Sequence, residues 1–227
     1  MDKLKIIAHI YNGYTEKFGI PRQSGINDTV ISTIVFEKDY RTDDALRGIE
    51  EYSHLWLLWL FSENKDEKWH PTVRPPRLGG NKRVGVFATR SPYRPNAIGL
   101  SSVRLLKKEK TEKGTVLTVS GADILSGTPI IDIKPYIAYT DSHPDAVSGF
   151  ADRVKSYHLE VNFPDVLLKK LPNEAHSAVI SMLEQDPRPS YQEDESRIYG
   201  MCYGDYEINF TVQGNILTVY DVAFSKK

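Results

Sequence analysis

At 227 residues, 40% hydrophobic and 26% charged, the chain has material for one large domain or a medium domain with a small companion, and its single cysteine, Cys202, excludes a disulfide framework or a multi-cysteine zinc site. The 29 basic and 30 acidic side chains give a net charge of −1, which alone points to no polyanionic partner. No apolar run is long enough to cross a bilayer or to serve as a secretion signal, so a soluble, cytoplasmic protein without a membrane partner is expected.

In chain order, "LKIIAHIY" (4–11) reads as a first strand and 12–28 as a long loop rich in Gly, Pro and polar residues. Loops of that length without structure of their own are often functional. The β-branched run "TVISTIVF" (29–36) is a second strand, and "DDALRGIEEY" (43–52) a short helical piece with Asp43 or Asp44 as its cap. "SHLWLLWLF" (53–61) is apolar on both alternations, as a central strand would be. An extended loop with three prolines and two glycines follows at 70–80, then strands at 83–89, 97–110, 114–123 and 128–139. Many short strands and one short helix predict a mainly β fold over 1–150, a closed or nearly closed barrel.

The remainder changes character. Residues 163–171 and 173–186 have helical patterning, with Ala175, Val179, Met182 and Leu183 on one face and Asn173 as N-cap. "YEINFTVQ" and "ILTVYDVAF" flank Gly214-Asn215, a two-residue hairpin signal. A small α+β domain is expected over 157–227.

Charge is distributed unevenly. From Lys68 to Lys108 there are ten Lys or Arg and no acid, so the rest of the chain carries eleven net negative charges. Such asymmetry predicts a basic face on an acidic body, suited to nucleic acid. The dinucleotide G-x-G-x-x-G loop, the P-loop, H-E-x-x-H and G-x-S-x-G are all absent. The histidines are too dispersed to suggest a metal site. What remains are four loops: "PRQSG" (21–25), "TRSPYRPNAIGLS" (89–101), "GADILSGTPIIDIKPY" (121–136) and "TDSHPDA" (140–146). At one rim of a barrel they would bring Arg22, Arg90 and Arg94 to Asp132, Asp141 and His143. Asp123 reads as an ordinary turn aspartate bonded to backbone.

The stretches "ATRSPYRPNAIGLS", "PTVRPPRLGG", "EEYSHLWLLW" and "SGTPIIDIKPY" resemble the TsaA/TrmO family, over nearly the whole chain. The resemblance implies a β-barrel tRNA methyltransferase, a homodimer that uses S-adenosylmethionine to methylate the exocyclic nitrogen of threonylcarbamoyladenosine beside the anticodon. It places the cofactor on Pro21, Arg22, Gln23, Ser62, Glu63, Arg90, Leu100, Thr140, Asp141, Ser142 and His143. Ser62 stands where similar proteins have His. The substrate's threonyl carboxylate would pair with Arg94 or Lys134, and the base would be Asp132, with Tyr136 as second choice. Arg74, Arg77, Lys82 and Arg83 would contact phosphates of the tRNA anticodon loop, and Tyr93 would stack on a base. The rival readings are a non-catalytic RNA- or nucleotide-binding barrel and a hydrolase using Asp132 and His143.

Overall fold

A computed structural model describes residues 4–63, 69–75, 82–112, 114–154, 157–188 and 194–225. The apolar run at 53–61 forms one strand of a closed ring in its N-terminal half. In chain order the strands are β1 (Ala8–Tyr11), β2 (Ile31–Phe36), β3 (His54–Leu60), β4 (Thr72–Val73), β5 (Val84–Gly85), β6 (Ile98–Thr111), β7 (Gly114–Ser120) and β8 (Pro129–Pro135). Six of them close on themselves in the order β1, β2, β7, β6, β3, β8, each pair antiparallel, with β8 returning to β1. β4 and β5 make a separate two-stranded ribbon.

Alternation decides what fills the ring. On β3, Leu55, Leu57 and Trp59 point inward and are buried, and Trp56, Leu58 and Leu60 lie half-buried on the outer face. Ile10, Ile34, Val103, Leu117, Val119 and Ile130 complete the interior. Burying such a side chain contributes about 1.5–3 kcal/mol. The β3–β8 pairing carries a bulge at Leu58/Trp59, so Leu58 faces Asp132 while Trp59 faces Ile130. Bulges of this kind re-aim side chains near functional sites.

Trp59 lies over Gly99, its partner on β6. A Cβ on Gly99 would sit 2.2 Å from Trp59 Cε2, which no rotamer adjustment of the rigid ring absorbs. Gly99→Ala is therefore expected to destabilise the chain by ~1–3 kcal/mol, read as a lower midpoint in urea with an unchanged slope.

The strand expected over 83–89 is cut short. Only Val84–Gly85 pairs, and Val86–Ala88 turns as a 3-10 segment, with Val86 N–H bonded to Pro71 O and Thr89 N–H to Val86 O. The piece expected to be helical at 43–52 is a run of turns ending in a 3-10 turn at Ile49–Glu51. The last strand of the ring stops at Pro135, Tyr136 N–H makes one further bond to His54 O at 3.0 Å, and Ala138–Asp141 form a short helix, α1.

The C-terminal half contains β9 (Glu160–Asn162), α2 (Asp165–Leu168), α3 (Asn173–Glu184), β10 (Tyr199–Tyr203), β11 (Tyr206–Gln213) and β12 (Ile216–Phe224). Its sheet runs β10, β11, β12, β9, with β9 parallel to β12. The hairpin turns at Gly214, φ 56°, with Gln213 facing Ile216. The helix α3 buries Ala175, Ala178, Val179, Met182 and Leu183. Its N-cap is Pro172 and not Asn173, without a side-chain cap bond. This second core reaches into the N-terminal half: Tyr14 and Val30 are buried in it, and Phe18 and Ile20 pack against it.

The long loop 12–28 is thereby held from both sides. Asn12 Nδ2 donates to Ser32 Oγ and Ile124 O, and Gly25 N–H donates to Gly121 O at 2.8 Å. Tyr14, Phe18 and Ile20 anchor it to the C-terminal core. Pro21, Arg22 and Gln23 project between the two halves.

Candidate active site

Where the two halves meet there is a cavity of about 720 Å³. Four groups of sequence-distant residues, together with Asp123, line it. The 17–23 loop supplies Phe18, Ile20, Pro21, Arg22 and Gln23. β3 and its exit supply Trp59 and Phe61, and the 89–100 segment supplies Arg90, Arg94 and Leu100. The chain end of α3 supplies Met182 and Gln185 through Arg188. Five residues expected at a cofactor site, Pro21, Arg22, Gln23, Arg90 and Leu100, are thus brought together.

The 89–95 loop holds its own shape. Thr89 Oγ1 donates to Val86 O at 2.8 Å and accepts Ser91 N–H, and Ser91 Oγ accepts Tyr93 N–H. Arg94 Nη1 donates to the carbonyls of Thr89 and Ser91 at 3.0 and 3.2 Å. Arg94, expected to meet the substrate's threonyl carboxylate, braces this loop and lines the cavity. Arg90 Nη1 donates to Gln23 Oε1 at 2.5 Å, tying the two cationic loops together.

Asp123 lies on the wall of this cavity, and the sequence gives no sign of that. Its Oδ1 accepts the Ser101 hydroxyl at 2.5 Å, and Ser101 Oγ in turn accepts Trp59 Nε1–H at 2.9 Å. Burial pushes its carboxyl above the usual carboxylate range, while the Ser101 hydroxyl and the nearby Arg90 pull it back. Only two acids are among the described lining residues, and Asp186 is ion-paired with Arg188 at 2.8 Å. The other acid, Asp123, shares the wall with Arg90, whose charge acts on it. A raised carboxylate in a cleft with a defined hydrogen-bond partner makes Asp123 a candidate functional residue.

A second cavity, about 640 Å³, adjoins the first. Gln23, Thr89, Arg90 and Pro92 line both. Its other walls carry Arg74, Arg83, Tyr93, His70 and Phe150. Arg74, Arg83 and Tyr93, all expected to touch RNA, therefore converge on one hollow, with two aromatic rings among the cations. Arg83 Nη1 donates to Thr72 Oγ1 at 3.0 Å across the β4–β5 ribbon. Lys82 is exposed beside Arg83, and Arg77 lies outside the described residues.

The remaining expected residues do not line either cavity. Ser62 and Glu63 follow Phe61 at the end of β3, where Glu63 O accepts Lys17 Nζ at 3.5 Å. Asp132 is paired with Lys134 at 2.7 Å and accepts the N–H of Ile133. Tyr136 packs on Trp56, ring centroids 5.4 Å apart. Asp141 accepts Trp56 Nε1–H at 2.8 Å and Ile137 N–H at 2.9 Å, which hold its carboxyl below the usual range. Thr140, Ser142 and His143 flank it around the end of α1. Arg22, Arg90 and Arg94, expected at one rim with Asp132, Asp141 and His143, line the first cavity with Asp123, and those three do not. The reason is register: β8 leaves Asp132 opposite Leu58, on the face of β3 away from Trp59. Among the described residues no group of His, Cys, Asp or Glu could hold a metal ion, and no helix is long and apolar enough to cross a membrane.

Comparison with known proteins bears on what this arrangement does. The model of the tRNA-methyltransferase O N-terminal domain matches residues 9–142, and that of the TrmO C-terminal domain matches 156–225. The tRNA (adenine(37)-N6)-methyltransferase of Escherichia coli strain K12 is 37% identical over 214 residues, 91% of each chain. A Pseudomonas aeruginosa protein that carries the name of an S-adenosylmethionine-dependent methyltransferase, RcsF, is 39% identical over 226 residues, 96% of each. A crystal structure of TrmO from Pseudomonas aeruginosa superposes with a TM-score of 0.78 at 32% identity, covering 98% of this chain and 99% of that one.

Proposed function

The chain belongs to the TrmO family, and from that premise we propose that it is a tRNA methyltransferase that moves a methyl group from S-adenosylmethionine to the exocyclic nitrogen of adenine 37. The acceptor form is threonylcarbamoyladenosine, next to the anticodon. The observation that carries this reading is the pair of adjoining cavities with a shared wall at Gln23, Thr89, Arg90 and Pro92. A displacement reaction needs donor and acceptor held side by side, and alignment is most of the catalysis.

The first cavity fits the cofactor by chemistry. Arg22 and Arg90 suit its amino-acid carboxylate, and Trp59, Phe61, Ile20, Leu100 and Met182 give an apolar slot for its adenine. Asp123 suits a cofactor cation. When bound, the cofactor supplies an electrophilic methyl group on a sulfonium. The second cavity suits an anionic, flipped-out nucleotide: Arg74 and Arg83 meet negative charge, and Tyr93 and Phe150 offer faces for stacking. Arg90, on the shared wall, is placed to align both.

The same reading carries a cytoplasmic homodimer in which Thr140, Asp141, Ser142 and His143 reach the partner's site. Tyr139, 89% exposed beside them, provides apolar surface for that contact.

The test is methyl transfer from labelled S-adenosylmethionine to two tRNA preparations, with and without threonylcarbamoyladenosine. Label in the modified tRNA alone is expected. Label in both would keep the methyltransferase and discard the modified base as its substrate. Cofactor and tRNA binding with no transfer would favour a non-catalytic RNA-binding protein.

A further inference from the structure

Among the described residues Asp186 is the one non-glycine with a positive φ, 53°. It ends the last turn of α3, donating its N–H to Leu183 O at 3.1 Å. Left-handed backbone is disfavoured for any residue with a Cβ, least so for Asn and Asp. Tertiary contacts hold it there. Arg188 grips the carboxylate in a fork, Nε to Oδ1 at 2.8 Å and Nη2 to Oδ2 at 2.9 Å, and the Tyr157 hydroxyl donates to Oδ2 at 3.0 Å.

The pair is almost out of water, with side chains 12% and 13% exposed. Desolvating two ions rarely gains stability over an apolar pair of similar size. Strained backbone and a costly ion pair therefore coincide in three residues. That coincidence falls on the cavity: Gln185, Asp186, Pro187 and Arg188 form the wall that the C-terminal half contributes. Arg188 also offers its carbonyl to Arg22 Nη2 at 3.5 Å, across 166 residues of sequence.

We propose that Asp186 and Arg188 are positioning residues for cofactor binding. Their clamp fixes the bend after α3, seats Pro187 against the cavity and presents the Arg188 carbonyl to Arg22. The C-terminal half then acts in the reaction by shaping the donor site. The inference rests on the reading that the first cavity takes S-adenosylmethionine.

Asp186→Asn in the full chain opens the clamp without disturbing the bend: Asn tolerates left-handed backbone, while the charge and one of the two oxygens that accept from Arg188 and Tyr157 are lost. The expected result is a rise of about tenfold in KM for S-adenosylmethionine, with kcat at saturating cofactor and KM for tRNA within about twofold. Arg188→Lys keeps the charge but loses the fork and falls between wild type and Asp186→Asn. A merely structural role would lower the folded fraction, and with it kcat, without moving KM. In a double-mutant cycle, Asp186→Asn adds little once Arg22→Ala is present. An unchanged cofactor KM in Asp186→Asn, or effects of the two substitutions that multiply, overturns the proposal. Calorimetry on the wild type keeps the two levels apart. If it binds S-adenosylmethionine and Asp186→Asn binds equally well, only the clamp falls. If it does not bind, the methyltransferase reading falls, and the clamp with it.

Discussion

Asp123→Asn makes the protein more stable and much less able to bind its cofactor. Both halves of this result follow from one carboxylate. Burial raises the folded-state pKa of Asp123 above its ordinary 3.8. Between that ordinary value and the raised one, the folded chain holds more protons than the unfolded chain, so stability falls as pH rises through this window. Above it the full cost of burying the charge persists. Asn removes that cost and still accepts the Ser101 hydroxyl through its own Oδ1. The melting temperature at neutral pH should therefore rise, each kcal/mol relieved appearing as about 2–4 °C. Cofactor affinity should drop on the order of 10- to 100-fold, the scale of one hydrogen bond to a charged group. In the wild type, affinity should weaken as pH falls through the raised pKa, and in Asp123→Asn it should stay flat. Differential scanning fluorimetry and calorimetric titration across pH read both effects. A lower melting temperature with unchanged affinity would make Asp123 a structural residue and nothing more.

The sequence shows such a residue as a turn aspartate because its environment is assembled from afar. Ser101 and Trp59 are 22 and 64 positions away, and they reach it only through the β3–β6 register. Strands announce themselves locally, through alternation, and β2, β3, β6 and β7 fall close to their expected spans. The 83–89 strand fails because Val84–Ala88 satisfies its backbone by turning onto Pro71, which no alternation reveals. The loops at 21–25 and 89–101 that line the first cavity were legible as Pro- and Gly-marked segments of unusual composition. Nothing in the local pattern of the wall from Gln185 to Arg188 points to Arg22. Its place against Arg22 depends on Tyr14 and Val30 leaving the ring for the second core. Asp132 stood out because a carboxylate inside an apolar strand asks for a partner. It has one two residues along, Lys134, on the same outer face.

The acid-free segment makes the second strong expectation. A chain with net charge −1 has little general attraction for RNA, so binding must come from where its cations gather. Arg74 and Arg83 come together on the second cavity, beside Tyr93 and Phe150. Each cation that no longer neutralises a phosphate should lower the slope of log affinity against log salt by about one. Arg74→Glu with Arg83→Glu therefore takes about two from that slope and adds repulsion, weakening tRNA binding on the order of 100-fold at physiological salt. Neither residue lines the first cavity, so S-adenosylmethionine affinity should hold within about twofold. Filter binding over a salt series and calorimetry on the same double variant separate the two sites. If tRNA affinity and slope are unchanged, the RNA reaches the shared wall from another direction. If both ligands weaken together, Arg74 and Arg83 support the fold and not the acceptor. Loss of tRNA binding alone would identify the Pro-stiffened loop as the partition, with Arg90 facing the donor on one side and the basic hollow receiving the acceptor on the other.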